Sequence, residues 1–264
     1  MLAAVMTAGG VPACAPFEDP QPGDGARVAT VLAAALARVD LAVASGRHYV
    51  KPPQGQFIAG REGVGRLDDG RRVYFNFEAC CWPYGSMAQR TLVDPSRLLD
   101  VPEGTPDALA AALGNAGLAA WLPLSWRARI APGETVLVIG ATGLSGLIAV
   151  ASAKLLGAGR VIAAGRNPAA LQRCRELGAD ETVSLAGPAA ANPADLAAAY
   201  LEAAQGPIDI ALDYLCGPPA EAALEALSTG GRMVHIGTTV AAEMKLPGQS
   251  LRRTSADEIG RVHV

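Results

Sequence analysis

The strongest constraint on this chain is a change of pattern at Pro132. Beyond it, short apolar runs at residues 135–139, 160–164, 182–185, 208–212 and 232–236 alternate with helix-length segments at 144–156, 168–177, 193–204 and 219–227. A strand covered on both faces reads as a near-continuous apolar run, so these runs belong inside a sheet. Alternating strands and helices of this length imply an α/β fold with a parallel, doubly wound sheet. The punctuation agrees. Asn167-Pro168 and Asn192-Pro193 set a capping side chain before a proline at the first helical position, and Gly157 and Gly178 end helices.

Between the first strand and its helix lies Gly140-Ala141-Thr142-Gly143-Leu144-Ser145-Gly146. Gly143 lets main chain approach a pyrophosphate resting on the positive helix N-terminus, and Gly146 lets the helix pack closely on the sheet. An ordinary tight strand-to-helix turn is the alternative. A second strand, ending about twenty residues further on, favours a dinucleotide. There an NAD site places Asp or Glu to accept from the ribose 2′-hydroxyl. This chain has Gly165-Arg166-Asn167 instead. Glycine leaves room, and Arg166 offers charge-assisted bonds to a 2′-phosphate, so NADPH is the expected cofactor. A solvated surface arginine is the other reading of Arg166.

Ahead of Pro132 the chain is irregular and rich in Pro and Gly. Strand-like runs occupy residues 27–36, 56–67 and 71–75, broken by Gln54-Gly55 and Asp68-Asp69-Gly70, and Thr105-Pro106 opens a helix to residue 113. With 264 residues, half of them hydrophobic, the chain has room for one large or two ordinary domains. A net charge of −3 argues against nucleic acid as a partner. Five cysteines (Cys14, Cys80, Cys81, Cys174 and Cys216) without a CxxC pair suit a reduced, cytoplasmic compartment. Two stretches mimic targeting segments. Met1 to Cys14 is apolar but lacks a basic start and is interrupted by Gly9-Gly10 and Pro12. Residues 135–153 carry no charge, yet Gly140, Gly143 and Gly146 break them. Neither is expected to meet a membrane.

The glycine window alone is similar to that of atypical short-chain dehydrogenase/reductases. In those proteins the motif opens the chain, and a Tyr is followed four positions later by Lys. Tyr49, Tyr74, Tyr84, Tyr200 and Tyr214 all lack that lysine. Six segments in fixed order point elsewhere: Ala37-Arg38-Val39-Asp40, Ser45-Gly46-Arg47-His48-Tyr49, Gly60-Arg61-Glu62-Gly63-Val64-Gly65, Gly70-Arg71-Arg72-Val73-Tyr74, Gly114-Asn115-Ala116-Gly117-Leu118-Ala119-Ala120-Trp121 and Pro132-Gly133-Glu134-Thr135-Val136-Leu137-Val138. Through them the chain resembles the medium-chain dehydrogenase/reductase superfamily, zinc-free quinone oxidoreductase branch, from Met1 to about residue 251.

That resemblance implies a GroES-like, partly open β-barrel catalytic domain at residues 1–125 and an incomplete Rossmann NADP(H)-binding domain at 126–264. It places the loops carrying Leu215, Ile236, Gly237 and Thr238 against the ribose and nicotinamide, beside Ala141 to Gly146 and Gly165 to Asn167. Zinc-dependent relatives hold Cys, His and Cys where this chain has Ala37, Arg61 and Asn115, so no metal is expected. Without that Lewis acid, the implied activity is hydride transfer from NADPH to a quinone or an α,β-unsaturated carbonyl. Asp40, Tyr49 and Asn115 are the candidate catalytic residues: Asp40 as a cleft group or a fold-stabilising carboxylate, Tyr49 as a hydroxyl donor or a packing ring, Asn115 as a cleft donor or a loop cap. His48 is read as exposed. The branch commonly carries Asn and Tyr where this chain has Ala37 and Ala42, which leaves a non-catalytic NADPH-binding or regulatory protein as the alternative.

Relatives run longer, and their next strand both completes the sheet and forms a homodimer edge. Here Asp257-Glu258 interrupts the apolar run expected of that strand. Five strands, missing C-terminal elements and loss of the usual homodimer are therefore expected.

Overall fold

The computed structural model describes residues 1–23, 25–46, 51–187, 192–246, 248, 250 and 252, together with the backbone of 257–259. The chain divides into two units, Met1–Asn115 and Ala116–Val264. This division falls within a helix, ahead of the boundary at 125/126 that the resemblance implies.

In the first unit, β1 (Leu2–Met6) pairs antiparallel with β2 (Ala13–Pro16), Leu2 opposite Pro16 and Val5 opposite Ala13. This is the stretch that mimics a leader. Its apolar residues enter a core, with Ala3 and Val5 packed against Ile58. The Met1 ammonium is pinned to Asp19 at 3.0 Å. Next come β3 (Arg27–Ala34), α1 (Arg38–Ala44), β4 (Phe57–Ile58), β5 (Gly63–Leu67), β6 (Arg72–Phe75), β7 (Arg90–Val93) and β8 (Leu99–Asp100). The single run expected at 56–67 is cut in two at Gly60, whose φ is +80°. Two antiparallel sheets result, ordered β2-β1-β4 and β7-β3-β5-β6-β8. Ala29, Leu67, Val73, Phe75 and Val93 form the core of the second.

Helix α2 (Asp107–Leu122) runs well past the stop expected at residue 113. Gly114-Asn115 looks like a break in sequence, yet Gly114 has a packing reason to be there. A Cβ on it would lie 2.2 Å from the Tyr74 ring, so glycine lets the helix pass under that ring. A wide turn at Pro123–Arg127 ends the segment.

The second unit follows the alternation read from sequence: β9 (Thr135–Ile139), α3 (Leu144–Leu155), β10 (Arg160–Gly165), α4 (Pro168–Glu176), β11 (Glu181–Ser184), α5 (Pro193–Ala204), β12 (Ile208–Asp213), α6 (Pro218–Ala226), β13 (Leu227–His235) and β14 (Asp257–Ile259). They form a wholly parallel sheet ordered β11-β10-β9-β12-β13-β14, the doubly wound arrangement. Val136 and Val138 face α3 and α4, whereas Leu137 and Ile139 face α5 and α6. One apolar run thus feeds two cores.

Two expectations are corrected here. Strand β13 starts at Leu227 rather than 232, with a register shift against β12 between Ile208 and Ile210. A sixth strand also exists: β14 pairs parallel with β13, Arg232 opposite Asp257 and Val234 opposite Ile259. An edge strand has a neighbour on one side only, so the acidic pair that breaks the apolar run does not prevent pairing.

Candidate active site

Strand β9 is followed by Gly140, with φ +89°, where a Cβ would lie 3.0 Å from the Leu215 side chain. The N–H groups of Gly140 and Ala141 both donate to the Ala164 carbonyl, at 2.9 and 3.0 Å, which ties the turn to the end of β10. Gly146 is obligatory: a Cβ there would stand 2.4 Å from the Gly140 carbonyl oxygen. At Gly143 a Cβ would meet nothing closer than 3.6 Å, so this glycine opens space above the turn. It precedes α3 as a cap residue with no side-chain hydrogen bond to the helix. The first-turn amides of Leu144, Ser145 and Gly146 therefore end the helix without a capping oxygen, a positive pole shaped for an anion.

Asn167 and Asn192, by contrast, cap α4 and α5 with their side chains, at 3.2 and 3.1 Å. Gly165 has a specific neighbour. A Cβ on it would lie 2.3 Å from the Thr142 methyl, so the space it leaves is filled by Thr142. Arg166 follows, exposed, with no ion pair or hydrogen bond among the described residues. The loops after β12 and β13 close against the same edge. Gly237 lies under the Tyr214 carbonyl, where a Cβ would come within 2.8 Å, and Val240 N donates to Leu215 O at 2.8 Å. Thr142 against Gly165, Gly140 against Leu215 and Tyr214 against Gly237 thus bring the glycine turn, the end of β10 and the loops after β12 and β13 together at the C-terminal edge of one sheet. These residues fit a dinucleotide.

Sequence reasoning missed the residue that orders this edge. The Asp213 carboxylate, fully buried, accepts from Leu215 N at 2.9 Å and Cys216 N at 3.0 Å, and meets His235 Nδ1 at 2.7 Å. Cys216 is buried, and desolvation pushes its thiol up, which disfavours the nucleophilic thiolate.

The first unit holds a cluster around Arg61. Asp40 is 8% exposed; its Oδ2 accepts from Ala37 N at 2.7 Å, closing the start of α1, while Oδ1 has no hydrogen-bond partner among the described residues. Burial raises its pKa, against the pull of main-chain donors and the Arg61 guanidinium. Arg61 is 4% exposed and donates to the carbonyls of Tyr84 at 3.2 Å, Phe77 at 3.0 Å and Cys80. Its guanidinium stacks 3.9 Å from the Trp82 ring centroid and 5.0 Å from that of Phe77. Burial lowers its pKa. Glu62 Oε1 accepts from Tyr74 Oη at 2.6 Å and from Asn115 N at 2.5 Å. Desolvation raises the Glu62 pKa too.

The candidate catalytic residues fare unequally. Asp40 is drawn into this cluster. Asn115 is neither a loop residue nor a cap: it sits inside α2 with its side chain exposed, and its main-chain N–H holds Glu62. Tyr49 and His48 lie outside the described residues. Glu62 and Tyr74 were in the quoted motifs without a role, because nothing local announces a contact between them.

Zinc does not fit these residues. Arg61 is a cation whose two Nη groups are committed to three carbonyls, and Ala37 offers no ligand atom. Among the described residues no three His, Cys, Asp or Glu side chains gather to hold a metal.

A doubly wound sheet with a glycine turn at its switch point and an uncapped helix above it defines a Rossmann-type dinucleotide-binding protein. Residues 146–260 match the family described as zinc-binding dehydrogenase. The quinone oxidoreductase of Thermus thermophilus, solved also in complex with NADPH, is 32% identical, with a TM-score of 0.78 over 98% of this chain and 79% of that one. This chain belongs to the medium-chain dehydrogenase/reductase superfamily and groups with its quinone oxidoreductases. A mycocerosic acid synthase-like polyketide synthase of Mycobacterium tuberculosis is 30% identical over 84% of this chain, which spans 10% of that much longer protein. Quinone oxidoreductase-like protein 2 of Rattus norvegicus is 29% identical over 75% of this chain and 56% of its own length.

Proposed function

We propose that this chain is an NADPH-dependent, zinc-independent oxidoreductase that reduces a quinone or an α,β-unsaturated carbonyl, in a cytoplasmic setting. One observation carries the reading: the uncapped start of α3 above Gly143, with the unpaired Arg166 at the end of β10. The Leu144 to Gly146 amides would bind the pyrophosphate, and Arg166 the 2′-phosphate. NADPH, when bound, supplies the hydride. Side chains of this chain then orient the acceptor and hydrogen-bond its developing oxyanion. Asp40 is proposed as a substrate-side group because burial keeps its carboxyl raised and its Oδ1 has no hydrogen-bond partner among the described residues. Asn115 is proposed beside it through its exposed side-chain amide, and Tyr49 as a hydroxyl donor. The five cysteines are free, in keeping with the reduced compartment.

Purified protein supplied with NADPH and a panel of quinones and 2-alkenals should consume NADPH with at least one acceptor class. Tight NADPH binding without turnover on any of them would support the non-catalytic reading, which Ala37 and Ala42 favour. Stoichiometric zinc in the purified protein would overturn the metal-free assignment.

A further inference from the structure

We propose that His235 is a positioning residue for the nucleotide site: its contact with buried Asp213 clamps the loops after β12 and β13 in the arrangement that receives the cofactor. This inference rests on the proposed nucleotide-binding function, and it concerns a residue that touches the site through another.

Asp213 ends β12 and His235 ends β13, and the two strands are neighbours in register, with Asp213 opposite His235. The Asp213 side chain is 0% exposed and that of His235 is 21% exposed. A carboxylate offers only acceptor oxygens, so the 2.7 Å contact places a hydrogen on His235 Nδ1. The same carboxylate accepts from the N–H groups of Leu215 and Cys216, at 2.9 and 3.0 Å, and fixes a turn in which Cys216 has a φ of +65°. Main chain completes the link: Ile236 N donates to Asp213 O at 2.7 Å, and Thr239 Oγ1 to Tyr214 O at 2.9 Å. One buried carboxylate therefore joins both loops, and His235 is the side chain that crosses from the second strand to it.

Buried carboxylate oxygens are costly to leave short of donors. Without His235, Oδ2 keeps only a longer contact of 3.2 Å from Cys216 N. The turn at 214–217 then has a reason to rearrange, and Leu215, which packs against Gly140 of the phosphate turn, moves with it.

The test compares His235→Leu, which removes the donor at similar bulk, with His235→Asn, whose amide N–H stands where Nδ1–H stood. Amide hydrogen exchange and NADPH affinity are both measured, with the thermal midpoint as a check on folding. His235→Leu should speed exchange at Leu215 and Cys216 about tenfold, leave Ile210 to Leu212 unchanged, and weaken NADPH by about tenfold. His235→Asn should stay within about threefold of the unaltered protein on both readouts. Unchanged loop exchange in His235→Leu overturns the clamp. Faster exchange with unchanged NADPH affinity overturns its link to the nucleotide site. Failure of the unaltered protein to bind NADPH removes the functional reading itself, and the clamp then stands or falls on exchange alone.

Discussion

At the scale of single residues, the nucleotide edge separates side chains that act from glycines that make room. Arg166 is an exposed cation with no ion pair among the described residues, and it is the residue proposed to meet a 2′-phosphate. Replacing it with Ala should weaken NADPH by roughly tenfold to a hundredfold, the range for a lost charge-assisted contact, and change NADH less than about threefold. Equilibrium titration of both nucleotides measures this, and equal losses would remove Arg166 from cofactor choice. Gly165 acts differently, because the Thr142 methyl occupies the place of its missing side chain. Gly165→Ala should cost about 1–3 kcal/mol in denaturant unfolding, the usual range for overpacking. Adding Thr142→Ala should recover part of it, since the two positions share one space. Additive losses would show that they do not.

At the scale of elements, legibility followed the range of the interactions. The strands of the second unit are continuous apolar runs between glycine and proline signals, so β9 and α5 could be read to within a residue of their observed ends. Helix α1 was missed because its short run offers no side-chain cap in sequence, only Asp40 reaching back to Ala37 N. The pair β1–β2 was hidden for another reason: an apolar opening interrupted by Gly9-Gly10 and Pro12 gives no strand pattern of its own, and its partner Ile58 lies far along the chain. Site residues divide the same way. The phosphate turn is local, whereas Glu62, Tyr74 and Asn115 come from β5-adjacent loop, β6 and α2, and Asp213 with His235 from neighbouring strands. No periodicity reports such contacts.

The Glu62 junction also carries a pH prediction. Burial raises its pKa in the folded state, so its contribution to stability is fullest below the ordinary glutamate value of about 4.3 and is lost as pH rises through the raised folded value. Glu62→Gln keeps an oxygen to accept from Tyr74 and Asn115 but has no charge to bury. Its stability relative to the unaltered protein should therefore increase as pH rises from about 4 to neutral. Paired denaturant curves across that range measure the difference. A flat or falling difference would mean that the carboxylate is compensated in place.

At the scale of the whole molecule, the sheet order β11-β10-β9-β12-β13-β14 puts every strand's C-terminal end on one edge. Brought there are the uncapped α3, Arg166, and the two loops held by Asp213. A ligand that binds this edge only in the folded chain stabilises it by mass action: at one hundred times its dissociation constant, about 2.7 kcal/mol. NADPH at that excess should raise the unfolding free energy by this amount. NADH at the same concentration should raise it less, because it has no 2′-phosphate for Arg166 to hold. Zinc should add nothing, since Ala37 has no ligand atom and Arg61 is a cation whose Nη groups are bound to the Tyr84, Phe77 and Cys80 carbonyls. Thermal and denaturant unfolding with each addition separates these outcomes. Stabilisation by zinc, with none by NADPH, would reverse the assignment, locating the molecule's ligand chemistry in the first unit rather than at the edge of the parallel sheet.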